Sequence, residues 1–265
     1  MTMDIRSYNR DAWNRLVAAG NRWTVPVDEA DIRRARSGQV ELLLTPTRFV
    51  PATWLGDLRG RDILCLASGG GQQGPLLAAA GAQVTIFDNA PAQLSQDTKV
   101  ARQHDLQLQT VEGDMRDLSQ LEDASFDLIF HPCSNCFVPD TAPVWNEASR
   151  VLRSGGRLLA GMTNPLRYLF DQLEYDSGAM RVRHQLPYSD LTDLDDQQRQ
   201  QLIYDAGEPL EFGHTLEQLL GGQTTAGLAI TGLYEDRYDT GEQDPLSEFC
   251  DSFIATRSVK LAQTA

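Results

Sequence analysis

Three consecutive glycines, Gly69, Gly70 and Gly71, follow the apolar run from Ile63 to Ala67, and Asp88 closes the next apolar run, Val84 to Phe87. Glycine has no Cβ, so its backbone N–H can be approached to main-chain distance. A carboxylate ending the following strand can accept hydrogen bonds from both hydroxyls of a ribose. Together these residues describe a pocket for an adenosine-containing cofactor. Gly69, Gly71 and Gly74 also fit G-x-G-x-x-G, and Asp88 falls about 20 residues on, as a dinucleotide fingerprint requires. That motif alone leaves NAD and S-adenosylmethionine both open.

Further candidates follow along the chain. Gly113, Asp114 and Met115 come directly after the apolar stretch Leu106 to Val111; the acid could accept from an adenine amino group while Met115 lies beside the ring. A turn with a solvated acid is the alternative. His131 follows the run Phe126 to Phe130. It is the leading candidate for a general base or acceptor-orienting group, against a ring placed beside the adenine or hydrogen-bonded to backbone. Asn135, Tyr168, His184, Tyr188 and His214 are candidates for an acceptor pocket. The lone Cys133-x-x-Cys136 lacks partner ligands, so neither a zinc site nor a thioredoxin-like motif is expected.

The elements that must position these groups alternate. Strand, glycine turn, helix and strand span Arg61 to Asp88, with Pro75 in the first helical turn and Gly81 as the stop. Asn89 is expected to cap a second helix, with Pro91 near its start and Leu94, Thr98 and Ala101 along one face. A third strand at Leu106 to Val111, a fourth at Phe126 to Phe130, a helix from Pro139 to Leu152 and a fifth strand from Arg157 to Met162 continue the pattern. Such alternation predicts a parallel sheet with right-handed crossovers. Its glycine turn lies at the carboxyl end of the first strand, where open α/β sheets bind ligands. Before it come some sixty residues, 1–60, expected to form a helical lid; after it, residues 164–214 break the alternation and are expected to cap the substrate side. Residues 215–265 are expected to supply a last helix and an antiparallel edge from Leu228 to Tyr234 and Ser252 to Val259.

Composition narrows the function classes. With 265 residues and 41% hydrophobic content, the chain can bury a full core as one domain. A formal net charge of -14 opposes a phosphate backbone, so no nucleic-acid partner is expected. Arg33, Arg34 and Arg36 read as a solvated helix face. With no apolar run of membrane-spanning length and no leader, the expectation is a cytoplasmic protein without a membrane partner.

From about Asp62 to Asn164 the chain resembles the class I S-adenosylmethionine-dependent methyltransferases. LCLASGGGQQG is similar to their glycine motif, TIFDN to the acidic second-strand motif, EGDM to the adenine-side motif, FDLIFHP to the fourth strand, and EASRVLRSGGRLLAG to the helix, turn and fifth strand. ASGGGQQGP and SNCFVPD resemble a bacterial subgroup of largely uncharacterised members. The resemblance implies a Rossmann-like α/β fold, a seven-stranded mostly parallel sheet with an antiparallel last strand. It also implies S-adenosylmethionine as cofactor, with S-adenosylhomocysteine as product, held by Ala67, Ser68, Gly69, Gly71, Asp88, Asn89, Gly113, Asp114, Met115 and His131. The implied activity is methyl transfer to a small molecule by in-line displacement. A cofactor-binding regulatory protein without turnover is the rival, and an NAD-binding Rossmann protein a weaker one. Two positions depart from the pattern: Cys65 stands where an acid is usual, and Ala67 replaces the first glycine, which requires a negative φ if its methyl is to be tolerated.

Overall fold

The computed structural model describes residues 3–239 and 244–262. Its centre is a sheet of seven strands: β1 (Asp62–Leu66), β2 (Gln83–Asp88), β3 (Leu108–Glu112), β4 (Phe126–His131), β5 (Leu152–Thr163), β8 (Leu228–Asp236) and β9 (Phe253–Lys260). A separate pair, β6 (Tyr188–Ser189) and β7 (Phe212–Gly213), lies outside it. The order across the sheet is β3-β2-β1-β4-β5-β9-β8. The pairs among β1 to β5 are parallel, whereas β9 runs antiparallel to both β5 and β8. The sheet is therefore the one the resemblance implies, antiparallel last strand included.

Strand β1 is covered on both faces, which is why it reads as a continuous apolar run rather than an alternating one. Ile63 and Cys65 join one core with residues of α2 (Glu29–Arg36), α4 (Gln73–Ala79) and α5 (Pro91–His104). Leu64 and Leu66 join the other, against Val144, Trp145, Ala148 and Val151 of α6 (Ala142–Val151). Between α2 and β1 a short helix, α3 (Ala52–Leu55), buries Trp54 and Leu55.

The segment ahead of the sheet begins with α1 (Ile5–Ala19), capped by Asp4, which accepts from Ser7 N–H, and closed by Gly20 at φ 71°. Helix α2 starts with a capping box between Asp28 and Asp31 and ends in the exposed arginines. Asn89 does not cap α5. That position belongs to Ala90, which makes no side-chain cap bond, and the Ala92 N–H is taken by Asn14 of α1 at 3.1 Å. Asn89 instead exchanges two hydrogen bonds with Arg6, accepting from its Nε at 3.0 Å and donating to its carbonyl at 2.9 Å. The start of α1 is thus fastened to the end of β2.

Residues 164–214 form a small core of their own, with Tyr168, Tyr188, Leu194, Ile203, Leu210 and Phe212 around Cys136. Ile5 and Tyr8 of α1 pack against it. No helix among the described residues is long and apolar enough to cross a membrane.

Candidate active site

A cavity of about 630 Å³ runs along the carboxyl ends of the parallel strands, within the size range of small-molecule and cofactor sites. At one end lie Ala67, Ser68 and Gly69 after β1, Asp88 and Asn89 at the end of β2, and Gly113, Asp114 and Met115 after β3. At the other lie Pro132, Cys133 and Ser134 after β4, Thr163 ending β5, and Phe253 opening β9. The strand order places these two ends side by side, so one hollow spans from β3 to β9.

The glycine loop does not work as its residue types predict. Gly69 N–H donates to Asp88 Oδ2 at 2.9 Å, and Gly70 and Gly71 N–H donate to the two oxygens of Asp97 at 3.0 Å each. All three loop donors are consumed inside the protein. The glycines are required by packing: a Cβ on Gly69 would meet Gln93 Cβ at 2.7 Å, one on Gly71 would meet Pro26 Cβ at 3.0 Å, and one on Gly74 would meet Ile86 Cδ1 at 2.4 Å. Gly113 likewise makes room for the Phe87 ring, whose Cζ would sit 2.1 Å from a Cβ there. Gly71 itself does not reach the cavity wall. Ala67 takes φ 46°, against the negative φ expected of it. This left-handed strain accompanies a short bond from its N–H to the Phe87 carbonyl, 2.7 Å.

Asp88 is half-buried. Its Oδ1 accepts from Ala90 N–H at 2.9 Å while Oδ2 holds Gly69. Desolvation pushes its carboxyl upward against those backbone bonds. Burial likewise lifts Asp97, which is fully enclosed, to about 8. Asp114 behaves oppositely. Burial works against its charge, but Arg116 bonds both oxygens through Nε and donates from Nη2 at 2.6 Å, which leaves the carboxyl below its usual range.

His131 is placed where it can do no proton chemistry with a bound molecule. The ring is fully buried and lies off the cavity wall. Its Nδ1 donates to the Leu66 carbonyl at 2.8 Å, and Nε2 lies 3.1 Å from the Asn135 side-chain amide. Burial pushes the imidazole downward, toward the neutral form. The ring braces the ends of β1 and β4, which corrects the expectation of a base facing the acceptor.

The five acceptor-pocket candidates also sit behind the wall rather than on it. Asn135 is buried beside His131, and His214 Nε2 bonds the Asn135 carbonyl at 3.0 Å. Tyr168 and Tyr188 stack with centroids 5.5 Å apart, and His184 meets Tyr188 edge-on at 5.1 Å. Of residues 164–214 the cavity is lined by Arg167 and Glu211. The chain ahead of the sheet adds Trp23 and Pro26 beside the glycine loop, and Trp13, Leu42, Leu44 and Phe49 elsewhere along the wall. Leu44 comes so close that its carbonyl would lie 2.0 Å from a Cβ on Gly161 of β5, and it accepts from Cys133 N–H at 3.2 Å. Cys133 and Cys136 are free thiols on this wall, and burial raises both well above the usual thiol range.

Sequence reasoning passed over Asp97, Gln93 and Glu211. The first two carried a signal, since Gln93, Leu94, Asp97, Val100 and Ala101 form the buried stripe of α5, and an acid on such a stripe needs a partner. Gln93 is 6% exposed, lines the cavity next to Asp88, and its Oε1 has no hydrogen-bond partner among the described residues. A buried acceptor of this kind fits a ligand that brings donors, as the hydroxyl and amino groups of an adenosyl cofactor do. Asp88, Asn89, Gln93, Asp114 and Met115 are the residues that would hold it.

Comparison with known proteins agrees with this geometry. Residues 64–160 match the family described as a methyltransferase domain. The chain is 45% identical over 255 residues to "Uncharacterized methyltransferase YbaJ" of Bacillus subtilis (strain 168), covering 96% of this chain and 98% of that protein. It is 30% identical over 167 residues to a ubiquinone biosynthesis O-methyltransferase of Xanthomonas oryzae pv. oryzae, covering 60% of this chain and 63% of that one. In fold it is similar to an S-adenosylmethionine-dependent methyltransferase from Mesorhizobium loti, with a TM-score of 0.59 and 16% identity over 78% of this chain and 94% of the other. With a relative matched along nearly its whole length, the chain belongs to the methyltransferases, and its sheet is that of the class I S-adenosylmethionine-dependent fold.

Proposed function

We infer that the protein transfers the methyl group of S-adenosylmethionine to a small-molecule acceptor. The observation that carries this reading is one cavity that joins the Asp88 and Asp114 end to a chamber lined by residues ahead of the sheet. A chamber walled by Trp13, Leu42, Leu44 and the partly exposed Phe49 suits a compact, partly apolar molecule. The Xanthomonas oryzae protein is named for O-methylation in ubiquinone biosynthesis, in keeping with a small acceptor.

S-adenosylmethionine brings its own activation, a methyl group on a sulfonium. The chain's contribution is then to hold two molecules in line and to keep water out. Asp88 and Gln93 would accept hydrogen bonds from the cofactor's adenosyl part, and Asp114 from its base. The apolar wall would order the acceptor. With His131 buried in the frame, proximity and orientation carry the rate, and the acceptor supplies its own nucleophilic atom.

The test is acceptor-dependent release of S-adenosylhomocysteine, measured against cell extract split by size. Release with the low-molecular-weight fraction supports the reading. Release confined to the protein or nucleic-acid fraction would overturn the small-molecule assignment. A protein that binds S-adenosylhomocysteine but turns over with no fraction would favour the regulatory alternative.

A further inference from the structure

Glu211 is the one residue of the 164–214 segment besides Arg167 that faces the cavity, and nothing in the family motifs points to it. It stands directly before β7, half-buried. Tyr168 donates its hydroxyl hydrogen to Glu211 Oε2 at 2.8 Å. Tyr168 can lie there because Gly213 has no side chain; a Cβ at that position would meet the ring at 2.5 Å. The Glu211 N–H is held by Asp190 Oδ2 at 2.7 Å, and Asp190 Oδ1 is held in turn by the Tyr188 hydroxyl at 2.7 Å. The two tyrosines stack on one another. A carboxylate is thus pinned at its backbone and at one oxygen, while Oε1 takes no hydrogen bond among the described residues.

Arg167, the other lining residue of this segment, carries the positive charge that Glu211 acts on, and it serves a second carboxylate as well. Arg167 pairs with Asp244 at 3.0 Å, and that carboxylate is fully enclosed. The Arg22 guanidinium lies 4.5 Å from the Trp23 ring centroid and 6.0 Å from that of Tyr238. What the chamber offers an incoming molecule is a largely apolar wall with a few polar side chains, Thr45, Ser134 and Thr163 among them, and in Glu211 Oε1 an accepting oxygen whose carboxyl group is held in place by Tyr168.

We propose that Glu211 is the acceptor-orienting residue, and that the methyl acceptor is a molecule with an apolar body and a neutral or cationic hydrogen-bond donor, a hydroxyl or an amine. A carboxylate on the incoming molecule would meet the like charge of Glu211, while Arg167 is already shared between Glu211 and Asp244, so it binds less well. Tyr168 and Tyr188 act through Glu211 as positioning residues, which explains why neither reaches the wall. This inference rests on the methyltransferase reading of the same cavity.

The experiment uses the full chain with S-adenosylhomocysteine, followed by three matched probes added to that complex: tryptamine, indole and indole-3-acetate. Calorimetry reports each affinity. Tryptamine and indole are expected to bind, with indole-3-acetate weaker by about tenfold or more, the scale of a hydrogen bond to a charged group. Glu211→Gln should abolish most of that discrimination, and Tyr168→Phe should reduce it, both with S-adenosylhomocysteine affinity unchanged. That unchanged affinity also certifies that the variants are folded. Failure of the natural chain to bind S-adenosylhomocysteine would overturn the methyltransferase reading and this inference with it. Normal S-adenosylhomocysteine binding with no probe bound, or with a preference indifferent to Glu211→Gln, would overturn the inference alone.

Discussion

Asp97 accepts the N–H of Gly71 at 3.0 Å through one carboxylate oxygen, and its other oxygen holds the neighbouring Gly70 at the same distance. A fully buried acid on α5 therefore sets the conformation of the loop that follows β1, in place of the ligand expected there. Replacing it with alanine would leave Gly71 N–H buried without a partner and Gly70 N–H with only the Gln93 carbonyl, at 3.2 Å. Asp97→Ala should destabilise the fold by roughly 1 to 3 kcal/mol, the cost of one buried group left unsatisfied. Urea denaturation checks this; an unchanged midpoint would mean the loop is held by something else.

The same carboxyl makes a pH prediction. Its folded value is pushed up to about 8 from a reference value of 3.8, chiefly by desolvation. Between those values the folded state holds a proton that the unfolded state has released. Its contribution to stability is therefore complete below the unfolded value and is lost as pH rises through the folded one. The natural chain should lose stability relative to Asp97→Asn as pH climbs from 4 to 8. Parallel denaturation series at several pH values measure the difference; a flat difference would contradict the assignment.

Ala67 stands at φ 46° at the mouth of the cavity. An alanine in the left-handed region costs about 1 to 2 kcal/mol relative to a permitted one, and glycine removes that cost while adding some unfolded-state entropy. Ala67→Gly is expected to be neutral to stabilising by about 1 kcal/mol. A thermal melt that drops by several degrees would show that the methyl packs more favourably than its backbone suggests.

Asp88→Ala should weaken S-adenosylhomocysteine binding by about 1.5 to 3 kcal/mol, the scale of hydrogen bonds to a charged group. Because Asp88 also holds Gly69 and Ala90, a stability loss accompanies it. Calorimetric titration well below the melting temperature separates the two effects, and normal affinity would remove Asp88 from the site.

Gly161 lets the Leu44 carbonyl approach β5, where a Cβ would meet it at 2.0 Å. Gly161→Ala should push the 42–46 segment off the sheet and strip Cys133 N–H of its acceptor. A loss of about 1 to 3 kcal/mol in stability is expected from the overpacking, together with faster hydrogen exchange in residues 42–46. Exchange no faster than in the natural chain would mean that the segment does not rest on this contact.

Local chemistry determined the frame. Apolar runs at Ile63, Val84 and Phe126, each short and ended by polar or turn-forming residues, specify buried parallel strands, because each pattern is read within one short segment and the sheet reuses it. The strand ends therefore placed Asp88, Asp114 and Met115 on the cavity from sequence alone, and Leu228 and Ser252 foretold the antiparallel edge. Tertiary structure decided which groups face the hollow. His131 lies one residue past Phe130, yet whether its ring points to a ligand or beneath β1 depends on the Leu66 carbonyl, 65 positions away. The glycine N–H groups could be assigned to Asp97 only once α5 had packed against the loop. The aromatic residues of the 164–214 segment stack on one another and give their hydroxyls to Glu211 and Asp190, so the segment lines the cavity with Arg167 and Glu211. The described residues ahead of the sheet, with no catalytic signature of their own, line the cavity through Trp13, Leu42, Leu44 and Phe49, with Asn89 holding Arg6 and Gly161 admitting Leu44. Contacts of that range depend on how elements pack, and no spacing within a single element encodes them.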